Sequence, residues 1–204
     1  TPKIKFMQGD EIRQIDCEFI AGCDGFNGVS RASIPARERS EHEMILPYAW
    51  LGILAEAPAP EREFIYGWHE RGFALFSRRG DNLSRHYMQC VSSENHDTWP
   101  DCLIWDELTL RLGGARELAR GKILQKSYTP MRAFVAEPMQ SGRLFIAGDA
   151  AHIVPPTAAK GMNLAMADAL VLADALADHF IRQDEVKLHN YTDTCLRRVW
   201  RAQH

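Results

Sequence analysis

The stretch "GRLFIAGDAAHIVPPTAAKGMNLA", Gly142–Ala165, sets a strand, an acid, a rigid turn and a helix start in close succession. Leu144–Ala147 is a short apolar run that reads as a strand, and Asp149 follows it. Pro155 and Pro156 then fix the backbone, and Lys160–Gly161 opens a long helical pattern. Asp149 can accept hydrogen bonds from ligand hydroxyls, and Pro156 keeps a carbonyl as an acceptor. The unpaired N–H groups of a helix beginning near Gly161 suit an anion or a developing negative charge. On spacing alone, an ordinary strand–loop–helix connection whose Asp caps the turn is favoured. His152, a lone loop histidine, reads as structural.

Two further clusters lie upstream. In "GCDGFNGVSR", Gly22–Arg31, the glycines permit close backbone approach, Asp24 can accept ligand bonds and Arg31 can meet phosphate. This is not G-x-G-x-x-G, and a Gly-rich turn is more often only a turn. In "FALFSRRGDNLSRHYMQ", Phe73–Gln89, strand alternation puts Ser77 and Arg79 on one face, and Arg85, Tyr87 and Gln89 on one face of the partner strand. A turn at Gly80–Asp81–Asn82 would converge guanidinium and hydroxyl donors, the expected receptor for a carboxylate, with Tyr66 adding a phenol. A solvated sheet face with exposed arginines explains the same residues equally well.

Working outward, Ile4–Met7, Glu11–Ile15 and Glu18–Cys23 read as strands around the "QGDE" turn, and the charged run Ala36–Glu43 as a connection. Strand signals at Tyr48–Ala55, Glu63–Trp68, Gly72–Ser77 and Ser84–Val91 suggest an antiparallel meander. Helices are predicted over Asp101–Leu112, Ala115–Arg120 and Asn163–Ile181, with an amphipathic pattern over Leu188–Trp200. Lys122–Ser127 and Arg132–Glu137 look extended.

With 204 residues, 46% of them hydrophobic, the chain can build a substantial core. Its formal charge of −3 gives no electrostatic case for nucleic acid. "MILPYAWLGILA", Met44–Ala55, is too short to span a bilayer, so no membrane partner is expected. The five scattered cysteines, none in C-x-x-C spacing, read as reduced thiols of a cytoplasmic protein, with no metal site expected.

Taken together, "FIAGCDGFNGVSRASIP", "GFALFSRR" with "SRHYMQ", and "GRLFIAGDAAHIVPPTAAKGMNLA" resemble the class A flavoprotein aromatic hydroxylases, and "CLRRVW" near the end fits them too. The resemblance covers nearly the whole chain, and its third motif is the most specific. It implies an α/β (mixed α+β) fold: the remainder of an FAD/NAD(P)-binding, Rossmann-like domain, residues 1–36 and 138–204, around an inserted antiparallel substrate sheet, residues 37–137. It also implies a fragment, since the N-terminal G-x-G-x-x-G unit and the C-terminal helices of the family are not in this sequence. The full-length protein would be a homodimer.

The implied cofactors are FAD and NADPH. Asp149 would bind the ribityl hydroxyls, Lys160, Gly161, Met162 and Asn163 would meet the isoalloxazine ring, and Asp24 would lie near both FAD and the NADPH route. Arg85 matches a residue linked to flavin position, while Arg31 and Arg132 match basic residues used for NADPH. The implied substrate is a small aromatic carboxylate, 4-hydroxybenzoate, converted to 3,4-dihydroxybenzoate. Ser77, Arg79 and Tyr87 would hold its carboxylate, and Tyr66 and the Pro156 carbonyl would face its hydroxyl. Asn27 stands where some relatives have a histidine at the NADPH site, and Ala159 replaces a glycine expected before Lys160. A related hydroxylase of another aromatic acid, or an inactive truncated remnant, are the alternatives.

Overall fold

The computed structural model describes residues 1–58, 64–92, 99–113 and 118–203. The fold is mixed α/β and divides into two compact units, Thr1–Met44 with Arg132–His204, and Ile45–Met131. Two long strands, Ser40–Glu56 (β4) and Lys122–Glu137 (β8), are each split between the units.

The first unit opens with the hairpin Lys3–Gln8 (β1) and Glu11–Asp16 (β2), turned by Gly9 at φ +62°. Ile20–Gly22 (β3) then pairs in parallel with Leu144–Ile146 (β10), which also pairs antiparallel with Gln140–Ser141 (β9). The short helix Val29–Ala32 (α1) follows β3. Gly161–Arg182 (α3), Val186–His189 (α4) and Tyr191–Gln203 (α5) follow β10. The predicted amphipathic run Leu188–Trp200 is therefore two helices, broken at Asn190.

The core of this unit gathers Ile34, Phe145, Ile146, Leu172, Leu188, Tyr191 and Cys195, all essentially buried. Leu172 and Ala175 of α3 lie on its inner stripe, three residues apart as the helical period requires. Each large aliphatic side chain buried there contributes about 1.5–3 kcal/mol.

Ala36–Glu43 is a connection only as far as Arg39, because Ser40–Glu43 already belongs to β4. Its charges suit an exposed strand end, where each acid finds a cation across the surface. Glu41 pairs with Arg31 at 3.4 Å and Arg39 at 2.8 Å, and Glu43 with Arg132 at 3.4 Å.

In the second unit the strand order is β8, β4, Leu83–Val91 (β7), Ala74–Gly80 (β6), Ile65–Gly67 (β5). The last three strands form the expected meander, but β4 pairs with β7 rather than with β5. The reason lies in its composition. Ala49–Ile53 is buried without a break, so both faces of β4 are covered as in an interior strand, whereas three-residue β5 suits a sheet margin. One face of this sheet packs Ala49, Leu51, Ile53, Phe76 and Met88 against Ile104, Trp105 and Leu108 of the helix Asp101–Arg111 (α2). Of the helix predicted over Ala115–Arg120, residues 115–117 lie outside the described residues, and Leu118–Arg120 is not helical. Glu63, where the second of the four meander strand signals starts, also lies outside them. The five cysteines form no disulfide among the described residues.

Candidate functional site

In the first unit, the carboxyl ends of the parallel pair β3 and β10 face the start of α3. Cys23 and Gly25 follow one strand and Ala147–Asp149 the other, and together with Met162, Ala165, Met166 and Ala169 of α3 they line a cleft of about 470 Å³. Clefts outside the carboxyl ends of parallel strands are where open α/β sheets bind ligands.

Glycine is required at two of these turns. Gly148 stands at φ +60°, and a Cβ there would come within 3.0 Å of the Ala165 Cβ. A Cβ on Gly28 would fall 2.1 Å from the Asp24 carboxyl carbon, so its absence lets the carboxylate reach the start of α1.

Asp149 is exposed at the cleft, and its carboxylate has no partner among the described residues. The Lys160 side chain makes no cap for α3, and the first intrahelical bond runs from the Leu164 amide to the Lys160 carbonyl at 2.9 Å. The amides of Gly161, Met162 and Asn163 are thus left without helical acceptors, as at any uncapped N-terminus. Pro156 opens a 3-10 turn, and its carbonyl accepts the Ala159 amide at 2.9 Å, which leaves one lone pair for another donor. Ala159 itself stands at φ +51°. The departure from glycine at this position falls on left-handed backbone.

Asp24 and Arg31 are both engaged by the chain. The Asp24 carboxylate accepts the Ser30 amide at 2.9 Å. Partial burial pushes its pKa up, but the Ser30 amide and hydroxyl and nearby backbone amides outweigh this and hold it below the ordinary carboxylate range. Every nitrogen of Arg31 has an acceptor: Nη1 donates to the Ala150 carbonyl at 3.0 Å, Nη2 to the Phe26 carbonyl at 2.7 Å, and Nε lies 3.4 Å from Glu41. Arg132 stands over the same Phe26 ring as Arg31, each guanidinium 4.6 Å from its centroid. Arg132 is the more open of the two, at 37% side-chain exposure against 13%.

In the second unit, the register places Tyr66 opposite Leu75, Leu75 opposite Tyr87, Ser77 opposite Arg85, and Tyr87 opposite Gly52. Tyr66, Ser77, Arg85 and Tyr87 therefore share the sheet face away from α2. The Ser77 hydroxyl is buried and donates to the Arg85 carbonyl at 3.3 Å. Arg79 falls at a register shift between Arg78 and Gly80, so strict alternation does not set its direction. It is exposed, and no partner engages it among the described residues.

Sequence reasoning missed what holds this face together. Rings run in a row, Tyr66 to Phe73 at 5.9 Å, Phe73 to Trp50 at 5.5 Å, and Trp50 to Tyr87 at 5.2 Å. The Arg85 guanidinium lies 5.1 Å from the Tyr87 centroid. Its Nη2 donates to the Ser127 hydroxyl at 3.2 Å, and that hydroxyl donates to the Gly52 carbonyl at 3.3 Å. Among the described residues no carboxylate neutralises Arg85. A lone glycine inside the apolar β4 run was a legible sign of close approach: a Cβ on Gly52 would sit 2.6 Å from the Ser127 hydroxyl.

Among the described residues there is no metal-binding cluster, and no helix is long and apolar enough to cross a membrane.

A family model described as an FAD binding domain matches residues 1–204. The p-hydroxybenzoate hydroxylase of Acinetobacter baylyi is 45% identical over 205 residues, which cover 100% of this chain and 51% of that protein. The chain thus spans about half the length of this curated relative. Among solved structures, the Diels-Alderase PyrE3 of pyrroindomycin biosynthesis superposes with a TM-score of 0.77 at 20% identity, covering 100% of this chain and 44% of its own. CabE, an aromatic hydroxylase of angucycline biosynthesis, does so with a TM-score of 0.71 at 20% identity, covering 98% and 42%. At that identity the two structures speak for the fold alone.

Proposed function

We propose, since this chain belongs to the FAD binding domain family, that its first unit carries part of the flavin site of an aromatic hydroxylase. The protein would convert 4-hydroxybenzoate to 3,4-dihydroxybenzoate with NAD(P)H and dioxygen. The groups around the cleft fit a flavin: an unpaired carboxylate for ribityl hydroxyls, an apolar helix wall for a flat ring, and free amides for its electron-rich edge. Asp149 would take the hydroxyls, and Gly161, Met162 and Asn163, with Lys160 beside them, would present the positive end of α3. When bound and reduced, FAD supplies the electrons that activate dioxygen. Arg132 is the better candidate for a nucleotide phosphate, because Arg31 is tied down on every nitrogen.

The observation that carries the substrate assignment is the row of rings in the second unit ending at Arg85, a cation without a counter-charge among the described residues. Aromatic walls beside guanidinium and hydroxyl groups suit a benzoate. Ser77, Arg79 and Tyr87 would hold its carboxylate, and the Tyr66 phenol would hydrogen-bond its hydroxyl in the ionised form. A phenolate is more nucleophilic than a phenol, so this contact would raise the rate of ring attack. The relative that carries the name p-hydroxybenzoate hydroxylase supports the choice of acid.

The test is substrate-stimulated NADPH oxidation by the intact, FAD-loaded protein, with the product identified by chromatography. Formation of 3,4-dihydroxybenzoate from 4-hydroxybenzoate, lost in Arg79→Ala, is expected. Stimulation by other hydroxylated benzoates alone would move the assignment to another acid.

A further inference from the structure

Behind the cleft lies a buried polar group that the reading above does not use. Asp168, on α3, is 1% exposed, and so is His152. One oxygen of the Asp168 carboxylate, Oδ2, accepts the Gly148 amide at 3.1 Å and meets His152 Nε2 at 2.7 Å. An ionised carboxylate can only accept, so Nε2 carries the proton in this pair. His152 Nδ1 is buried with no hydrogen-bond partner among the described residues.

Gly148 and His152 bracket the turn that carries Asp149. A carboxylate in a core is costly unless its lone pairs are engaged, and an apolar residue in its place would leave both donors orphaned. Burial, with the nearby Asp168 charge, pushes the Cys195 thiol up to about 12, and the Tyr191 hydroxyl is likewise driven up by burial and donates to the Ile146 carbonyl at 3.0 Å. Meanwhile Met162, Ala165, Met166 and Ala169 of the same helix form the cleft wall. One side chain thus ties the wall to both ends of the turn opposite.

We propose that Asp168, through His152 and Gly148, is a positioning residue for the flavin, setting the place of Asp149 against the wall of α3. The proposal rests on the flavin reading given above. It makes FAD affinity, and the environment of the bound ring, depend on a residue that does not touch the cofactor.

The experiment is a titration of the intact apoprotein with FAD, followed by flavin fluorescence and by visible circular dichroism of the bound ring. Asp168→Ala orphans two donors and should weaken binding at least about tenfold, with an altered dichroism spectrum. Asp168→Asn keeps an oxygen able to accept from both donors and should stay within about threefold of the unaltered protein. Wild-type affinity and spectrum in Asp168→Ala would overturn the proposal, and so would a loss in Asp168→Asn equal to that in alanine. If Asp168→Ala does not fold, His152→Ala, which leaves the carboxylate one donor, should weaken FAD about three- to tenfold, and unchanged affinity there would overturn it equally. An unaltered protein that took up no FAD would bring down the flavin reading together with this one. FAD uptake that ignores Asp168 would bring down this one alone.

Discussion

Gly148 and Ala165 leave no room for a side chain between them: a Cβ on Gly148 would lie 3.0 Å from the Ala165 Cβ, on backbone at φ +60°. Gly148→Ala therefore adds left-handed strain of about 1–2 kcal/mol and pushes the Asp149 turn off α3. The expected result is a lower urea midpoint and at least tenfold weaker FAD binding, read by fluorescence titration.

Ala159 offers the opposite change. At φ +51° it bears a strain that glycine would relieve, less the extra entropy glycine loses on folding. Ala159→Gly should stabilise the protein by about 0.5–1 kcal/mol. Chemical denaturation of the two forms checks it, and a lower midpoint for the glycine form would contradict the geometry of the turn.

Gly52→Ala should harm the aromatic face by crowding Tyr87 and Arg85 from within the sheet. The new methyl would fall 2.6 Å from the Ser127 hydroxyl, 3.0 Å from Arg85 Nη2 and 3.1 Å from the Tyr87 ring. Displacing Arg85 should raise the dissociation constant for 4-hydroxybenzoate about tenfold, by the loss of roughly one charge-assisted hydrogen bond. Ser127→Ala, which removes the tether without adding bulk, should show a smaller loss in the same titration.

His86 makes the second unit sensitive to acid. Burial beside Phe76 and Trp105 lowers its pKa to about 4, while Ser84 bonds its Nε2 at 3.0 Å. The unfolded chain takes up a proton near the ordinary histidine value and the folded chain does not, so stability falls as pH drops from about 6.5 towards 4. Between pH 7 and pH 4.5 this amounts to about 2–3 kcal/mol. Urea denaturation at the two values should show the loss, and His86→Gln should remove most of it.

What could be read from the chain was local. The Gly142–Ala165 stretch announces strand, turn and helix by its own residues, and all three are present, because apolar run, prolines and Lys-Gly act within a few positions. Gly22 and Gly28 do permit close approach in the Gly22–Arg31 turn, whereas Gly25 stands in open space at φ +74°. The neighbour of β4 was not legible, since pairing across the sheet depends on residues far apart in sequence. The strand character of Ser40–Glu43 was hidden for a similar reason: its acids meet Arg31 and Arg132, one from each side of the second unit in sequence. Arg31 was legible as a cation in a glycine-rich turn, but its acceptors were not, since the Glu41 carboxylate and the Ala150 carbonyl lie elsewhere in the sequence. Asp168 gave only the faint signal of an acid in an Ala- and Leu-rich helix.

Because Ile45–Met131 is one continuous segment within a host made of two, the two units cannot mature together during synthesis. The inserted piece has every strand and helix of its own core once Met131 has left the ribosome, while the host still waits for the strand and helix that frame its cleft. A nascent chain arrested shortly after that point should already protect the sheet around Trp50 from proteolysis and still fail to capture a flavin.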